Sequence, residues 1–239
     1  GEITKQAFKF REENISDKQI TDDNLKKILS DENINGLLED ISISRCLNVG
    51  NLNIPAHPET TYLSVIDQDL NVVSLINSIC YAFGSGITTK NTGILLHNRG
   101  VNFRLQENHP NCINGFKRPL HTIIPGMVVN KNFETTMSYG VMGGQFQPVG
   151  HVHFLNNIID YKMSVQKSID FPRAFNFNGK FILEKEINLE IEKKLSLTGH
   201  NTFFTDDYHG GGQAIKIDYK NGVLIGGSDF RKDGCALGL

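Results

Sequence analysis

The sequence predicts an α+β layered fold, and three observations carry that reading. Charged, amphipathic helical stretches fill the first 59 residues, and alternating strand patterns take over from Thr60. Helical segments then appear in the middle and strands return after them, which is not the regular strand–helix alternation of a βαβ protein. Composition supports a packed core: 239 residues, 39% hydrophobic, with 15 Phe. The net charge of −2 excludes a dedicated nucleic-acid or anionic-membrane binder, which needs a basic surplus. No apolar run is long enough to span a bilayer, and the stretch from Gly1 to Lys5 has no apolar segment of a secretory signal.

Each element has a local reason. Glu2 to Glu13 spaces Ile3, Ala7, Phe8 and Phe10 as a short amphipathic helix. Thr21 opens a second, with Leu25, Ile28 and Leu29 on one face. Asp31 or Asn33 caps a third that runs through Leu37 and Leu38. Ser44 to Pro58, with Gly50, Pro55 and Pro58, reads as a linker or flexible surface segment. Thr61 to Ile66 and Val72 to Ile76 make a hairpin across Asp67–Asn71. Gly93 to Leu96 reads as a short strand, and Met127–Val129 and Thr135–Val141 as a second hairpin. Pro148 to Tyr161 is a helix with Val149, Val152, Leu155, Ile158 and Ile159 on one face. Ser164 caps another, which Phe171-Pro172 stops. A strand at Phe181–Leu183, a helix near Glu184–Leu195, and strands at Thr202–Phe204 and Ala214–Tyr219 follow; Asn221-Gly222 turns into a last strand, Val223–Ile225.

Few residues announce chemistry by themselves. Cys46, Cys80, Cys112 and Cys235 stand far apart, so they read as free, mostly buried thiols in a reducing compartment; the localisation itself is left open, with the cytoplasm slightly favoured. They form no close ligand pair, and His151 and His153 face different sides of a helix, so no metal site is expected. Thr60 is an ordinary strand residue unless the chain is cut before it. In that case its freed α-amine lies beside its own hydroxyl and serves as the base. Gly143-Gly144, between a strand and a helix, is a tight turn or a pair of backbone N–H groups able to hold an oxyanion. Gly210-Gly211-Gly212 reads as a flexible loop, and Lys117–Thr122 and Asp229–Gly234 as charged, solvated turns.

The order of these pieces is more specific than any one of them. Thr60-Thr61-Tyr62-Leu63-Ser64-Val65, Tyr81-Ala82-Phe83-Gly84-Ser85-Gly86 and Gly93-Ile94-Leu95-Leu96-His97-Asn98-Arg99 come first. Lys117-Arg118-Pro119-Leu120, Met142-Gly143-Gly144, Phe171-Pro172-Arg173 and Asp229-Phe230-Arg231-Lys232-Asp233-Gly234 follow. The series resembles the small catalytic subunit of the γ-glutamyltransferase (γ-glutamyltranspeptidase) family, across residues 60–239.

That resemblance implies an N-terminal nucleophile hydrolase with an αββα sandwich. It implies a zymogen that cuts itself between Glu59 and Thr60. Residues 1–59 would be the C-terminal end of a large-subunit region with its linker, the rest of that subunit being mostly missing, and 60–239 the catalytic region. Thr60 would then transfer a γ-glutamyl group from glutathione-like amides to water or an amine. Gly143 and Gly144 would form the oxyanion hole, and Ser78 would support the nucleophile. Cys80, Arg99, Asn102, His121 and Thr122 would contact substrate.

Several of these positions depart from the family's pattern. Cys80 replaces an asparagine, Arg99 a glutamine, Asn102 an acidic residue, and His121-Thr122 a serine pair. They resemble the γ-glutamyltransferase-like, cephalosporin-acylase-like branch. A cation at Arg99 should repel an ammonium and attract a carboxylate, so the second expectation is an acylase for glutaryl-type amides. A third is an uncleaved, inactive relic serving as a binding module, against which the retained Thr60 weighs. No cofactor is implied. The expected partners are a small-molecule amide and the missing large-subunit portion, with no nucleic acid and no membrane, and homo-oligomerisation is left open. The piece alone should show little activity and should expose apolar surface where that portion packs.

Overall fold

The computed structural model describes residues 1–17, 21–50, 52, 54 and 60–238. Glu59 and the rest of the Pro55–Glu59 stretch, and with them the predicted cleavage bond, lie outside the described residues. In chain order the elements begin with helices α1 (Glu2–Asn14), α2 (Asp22–Ile28) and α3 (Asp31–Leu38). Strands β1 (Thr61–Ile66), β2 (Val72–Asn77), β3 (Gly126–Val129) and β4 (Thr135–Met142) come next. Helices α4 (Gln147–Ile159) and α5 (Val165–Asp170) lead to β5 (Ala174–Phe177) and β6 (Lys180–Glu184). The chain closes with α6 (Leu189–Leu197), β7 (Thr202–Thr205), β8 (Gly211–Asp218) and β9 (Val223–Ser228).

These elements fall into two units that interleave along the chain. The first comprises Gly1–Pro55, Gly100–His121 and Arg173–Asp207; the second comprises Ala56–Arg99, Thr122–Pro172 and Tyr208–Leu239.

In the first unit, side-chain caps start the short helices: Thr21 accepts from the Asn24 N–H, and Ser30 from that of Asn33. The cap of α3 is therefore Ser30, one residue before the earliest one predicted. Of the apolar residues predicted to form a face of α2, Leu25 and Leu29 are exposed. Phe8 of α1 is buried edge-on against Phe175, with the Arg11 guanidinium over its ring. Strands β5 and β6 pair antiparallel, whereas β6 and β7 run parallel and are joined by α6. That is one βαβ crossover, which the sequence reading did not foresee. The described part of the supposed linker is tied down. The Cys46 N–H donates to the Thr198 carbonyl, and Ile54 is buried against Asn178.

The second unit is layered. β3, β4, β8 and β9 form an antiparallel sheet in that order, and β1–β2 is a separate hairpin with Leu63 opposite Leu75 and Val65 opposite Val73. The side chains of β4 alternate between two neighbours, as the period of a strand requires. On one face, Ser138 bonds to Tyr62 and Ser64 of the hairpin. Gly140 lies on that face too, and a Cβ there would meet the Tyr62 ring at 2.3 Å. On the other face, Tyr139 stacks on Phe154 of α4, and Val141 packs where Gly150 leaves room. Hairpin, sheet and helices thus make the β, β and α layers of a sandwich. The hairpin's outer face, Leu63, Val65, Val73 and Leu75, is exposed.

Four expectations for this unit are corrected. Gly93–Leu96 forms no strand, only a single bridge from Leu95 to Thr88. The buried face of α4 is Gln147, Gly150, His151, Phe154 and Asn157, while Val152 and Ile159 are exposed. Apart from Phe154, which stacks on Tyr139, the face turned to the sheet carries small or polar residues. Gly211 and Gly212 are buried in β8 and are not a loop. Asp229 is fully buried: its carboxylate accepts the Gly212 N–H at 2.7 Å and pairs with Arg231 at 3.1 Å. Arg231 in turn donates to the Ile169 carbonyl at the end of α5. The supposed solvated turn is a lock on the sheet.

Candidate active site

The site is assembled at the ends of β1, β2 and β4, all within the second unit. Thr61 opposes Asn77 in the hairpin, so Thr60 and Ser78 stand at the next register position. The Thr60 hydroxyl accepts a hydrogen bond of 3.2 Å from Gln147 Nε2. Gln147 is the first residue of α4 and follows the 3-10 turn Gly144–Phe146. The hydroxyl is therefore held at the start of a helix, whose first N–H groups have no partner within the helix and carry partial positive charge.

The turn itself is shaped by necessity. Gly143 has φ 122°, and a Cβ there would lie 2.6 Å from the Gly210 Cα. Both facts demand glycine. Thr122, buried, donates from its hydroxyl to the Gly144 carbonyl at 2.7 Å and so pins the turn. Further back, the Val141 N–H donates to His151 Nε2 at 3.1 Å. β3 begins at Gly126 opposite Tyr139 and its pairing reaches no farther along β4, so His151 takes the place of a strand partner. Burial drives its imidazole down to about 4, and the neutral ring it needs as an acceptor is the form present at neutral pH.

Beyond β2 the chain is held in a second knot. Cys80 is fully buried with φ 82°, a left-handed conformation that costs energy for a side-chain-bearing residue. Its N–H donates to Ser78 Oγ, the Tyr81 N–H to Asn98 Oδ1, and the Asn98 N–H to the Ile79 carbonyl. These bonds set Arg99 beside Ser78, to whose carbonyl it donates at 2.8 Å. Arg99 is only 7% exposed, yet among the described residues no carboxylate lies within ion-pair distance of it. Burial lowers its pKa and raises that of Cys80, each opposed by the other's charge. A guanidinium desolvated without an anion is an anion-binding arrangement.

Thr60, Ser78, Cys80, Arg99, Thr122, Gly143 and Gly144 all belong to this unit. Asn102 and His121 belong to the other. Asn102 ends the 3-10 turn that Arg99 begins, and both polar atoms of its buried side chain lack a partner among the described residues. His121 lines a cleft of about 260 Å3 with Asp17 and Arg118, which form an ion pair of 2.9 Å.

The residue that sequence reasoning missed is Gln147. Its only signal was its position, three residues after Gly144. A cluster of metal-ligand types was also missed, because its members lie far apart in sequence. Glu2, Cys46 and His200 of the first unit bring ligand atoms within 4.8 Å of one another. The Lys5 ammonium already sits among them, 2.8 Å from Glu2 Oε1, 2.7 Å from Cys46 Sγ and 2.9 Å from the Leu47 carbonyl. The cation held there is the lysine. All four cysteines are free, but only Cys80 is buried, which corrects the expectation of mostly buried thiols.

Comparison with known proteins decides the family. The family described as gamma-glutamyltranspeptidase matches residues 1–239. The chain belongs to the γ-glutamyltranspeptidase family. A glutathione hydrolase-like YwrD proenzyme of Bacillus subtilis (strain 168) is 36% identical over 100% of this chain and 46% of its own length. An oxamate amidohydrolase proenzyme of Klebsiella pneumoniae is 30% identical over 99% of this chain and 46% of its own length. The solved cephalosporin acylase of Bacillus halodurans, 34% identical, superposes with a TM-score of 0.83 over 97% of this chain and 42% of that one.

The γ-glutamyltranspeptidase fold is thus the N-terminal nucleophile hydrolase fold that the resemblance implied. The chain spans about half the length of the curated relatives it matches. Those relatives are longer proenzymes, and their larger portion is absent from this chain.

Proposed function

We propose that this chain is the catalytic portion of a self-cleaving amidohydrolase in which Thr60 is the nucleophile. Residues 1–59 are the end of the large-subunit region and 60–239 the small subunit. The observation that carries the reading is the Thr60 hydroxyl hydrogen-bonded to the first residue of α4, next to the Gly143-Gly144 turn. In the precursor, the hydroxyl attacks the Glu59 carbonyl, the peptide C–N bond breaks, and water hydrolyses the resulting ester. The freed α-amine then acts as base. It takes the Oγ1 proton as Oγ1 bonds to the substrate carbonyl carbon, and the Gly143 and Gly144 N–H groups face the oxyanion. Collapse breaks the amide C–N bond, and the ammonium returns its proton to the leaving amine. Water or a second amine takes the acyl group from Thr60.

The acyl group admits two readings, γ-glutamyl or one ending in a carboxylate without an α-amine. Arg99 favours the second. A buried guanidinium with no counter-ion among the described residues attracts a carboxylate and repels the γ-glutamyl ammonium. That one relative is named an oxamate amidohydrolase, and another a cephalosporin acylase, is in keeping with it. The test is turnover of glutaryl- and γ-glutamyl-p-nitroanilide by the full-length protein and its Thr60→Ala variant. Glutaryl preference that vanishes in the variant is expected. Preference for γ-glutamyl would overturn the acyl assignment, and activity persisting in the variant would overturn the nucleophile.

A further inference from the structure

Gln147 makes one hydrogen bond where its amide could make more. It is 1% exposed, and its Nε2 donates to Thr60 Oγ1 at 3.2 Å. Its Oε1 is buried and has no partner among the described residues. A buried amide oxygen left unpaired is costly, so the arrangement calls for a donor. In the uncut chain, the Thr60 nitrogen is a planar peptide N–H with a single hydrogen. After cleavage it is a tetrahedral amine that can turn its hydrogens toward a new acceptor.

The nitrogen and Oγ1 of a threonine sit on adjacent carbons, roughly 3 Å apart in a staggered rotamer. The nitrogen and oxygen of a primary amide are separated by a similar, slightly shorter span. One amide can therefore face both.

We infer that Gln147 receives the processed N-terminus: its Nε2 donates to Thr60 Oγ1, and its Oε1 accepts from the α-amino group that cleavage frees. This rests on the reading of Thr60 as nucleophile. The consequence is positional. With one amine hydrogen held by Oε1, the amine's lone pair is turned toward the hydroxyl proton it must take. With a lone pair of Oγ1 held by Nε2, the attacking oxygen is fixed in orientation.

Two variants of the full-length protein test it, Gln147→Glu and Gln147→Met, each checked for cleavage by intact mass. A companion version is expressed as two polypeptides divided at the Glu59–Thr60 bond, so that Thr60 is N-terminal whether or not the variant can cut. A carboxylate beside the ammonium stabilises it, so Gln147→Glu should move the acid limb of kcat/KM upward by about one pH unit. Gln147→Met should lower kcat by about 100-fold with KM little changed. A merely structural glutamine predicts neither the displaced limb nor the split. An unmoved limb together with kcat within about twofold of wild type would overturn the inference. A wild-type two-polypeptide enzyme without activity would instead overturn the nucleophile reading beneath it.

Discussion

At the residue scale, the chemistry rests on a few groups that can be altered one at a time. Thr60→Ala should abolish cleavage and lower turnover by about 10³-fold or more, while Thr60→Ser, which keeps a hydroxyl, should retain part of both. Arg99→Gln should cost roughly 30-fold or more in kcat/KM for a glutaryl amide and leave a γ-glutamyl amide unharmed or improved; equal losses on both would remove the charge argument. Gly143→Ala should destabilise by roughly 1–3 kcal/mol in urea unfolding, because a Cβ meets the Gly210 backbone at a φ that alanine avoids. Thr60 and the glycine pair could be picked out of the sequence only through the order of motifs around them. Gln147 could not, because a glutamine after a turn has no spacing rule attached to it. Nor could the lack of a counter-ion at Arg99 among the described residues, which depends on what the fold leaves out of reach.

At the element scale, the sheet leading into the Gly143-Gly144 turn depends on two buried polar anchors. His151 accepts the Val141 N–H only when neutral, and its folded-state pKa of about 4 lies below the ordinary 6.5. A depressed histidine pKa means the unfolded chain takes up the proton first. Stability from this group is thus full above about pH 6.5 and falls as pH drops toward 4, by roughly 3 kcal/mol at most. Urea midpoints measured across that range should show the decline, and a His151→Leu variant should lack it. Asp229→Ala should cost about 3–5 kcal/mol, since it leaves Arg231 buried without its partner.

Strands with strict alternation, such as β1 and β4, were legible because one side of each is a pattern of period two. β8 was legible only from Ala214 onward, since its start is glycine. α4 was legible as a helix but not in its orientation. Its most apolar residues include the outward-facing Val152 and Ile159, while the sheet accepts Gly150 and His151. The β6–α6–β7 crossover was hidden because only one such unit occurs.

At the scale of the whole molecule, the exposed stripe Leu63, Val65, Val73 and Leu75 marks a layer without its cover. Relatives are about twice as long, and we propose that the portion they have beyond this chain covers that face. A Leu63→Asp, Leu75→Asp pair should reduce dye binding and self-association of this piece alone, yet impair cleavage of the full-length protein. Unchanged cleavage would place the upstream portion elsewhere. The sequence could predict that apolar surface would be left open, but not which face, because that depends on how the hairpin stacks on the sheet. Everything proposed here depends on Thr60 becoming an N-terminal nucleophile. The measurement that tests it most directly is intact mass with N-terminal sequencing of the full-length protein, before and after a glutaryl-type or glutamate-analogue electrophile. Two fragments are expected, the second beginning at Thr60 and carrying the label on that residue. An uncut, unlabelled chain under conditions where the protein is folded would contradict it.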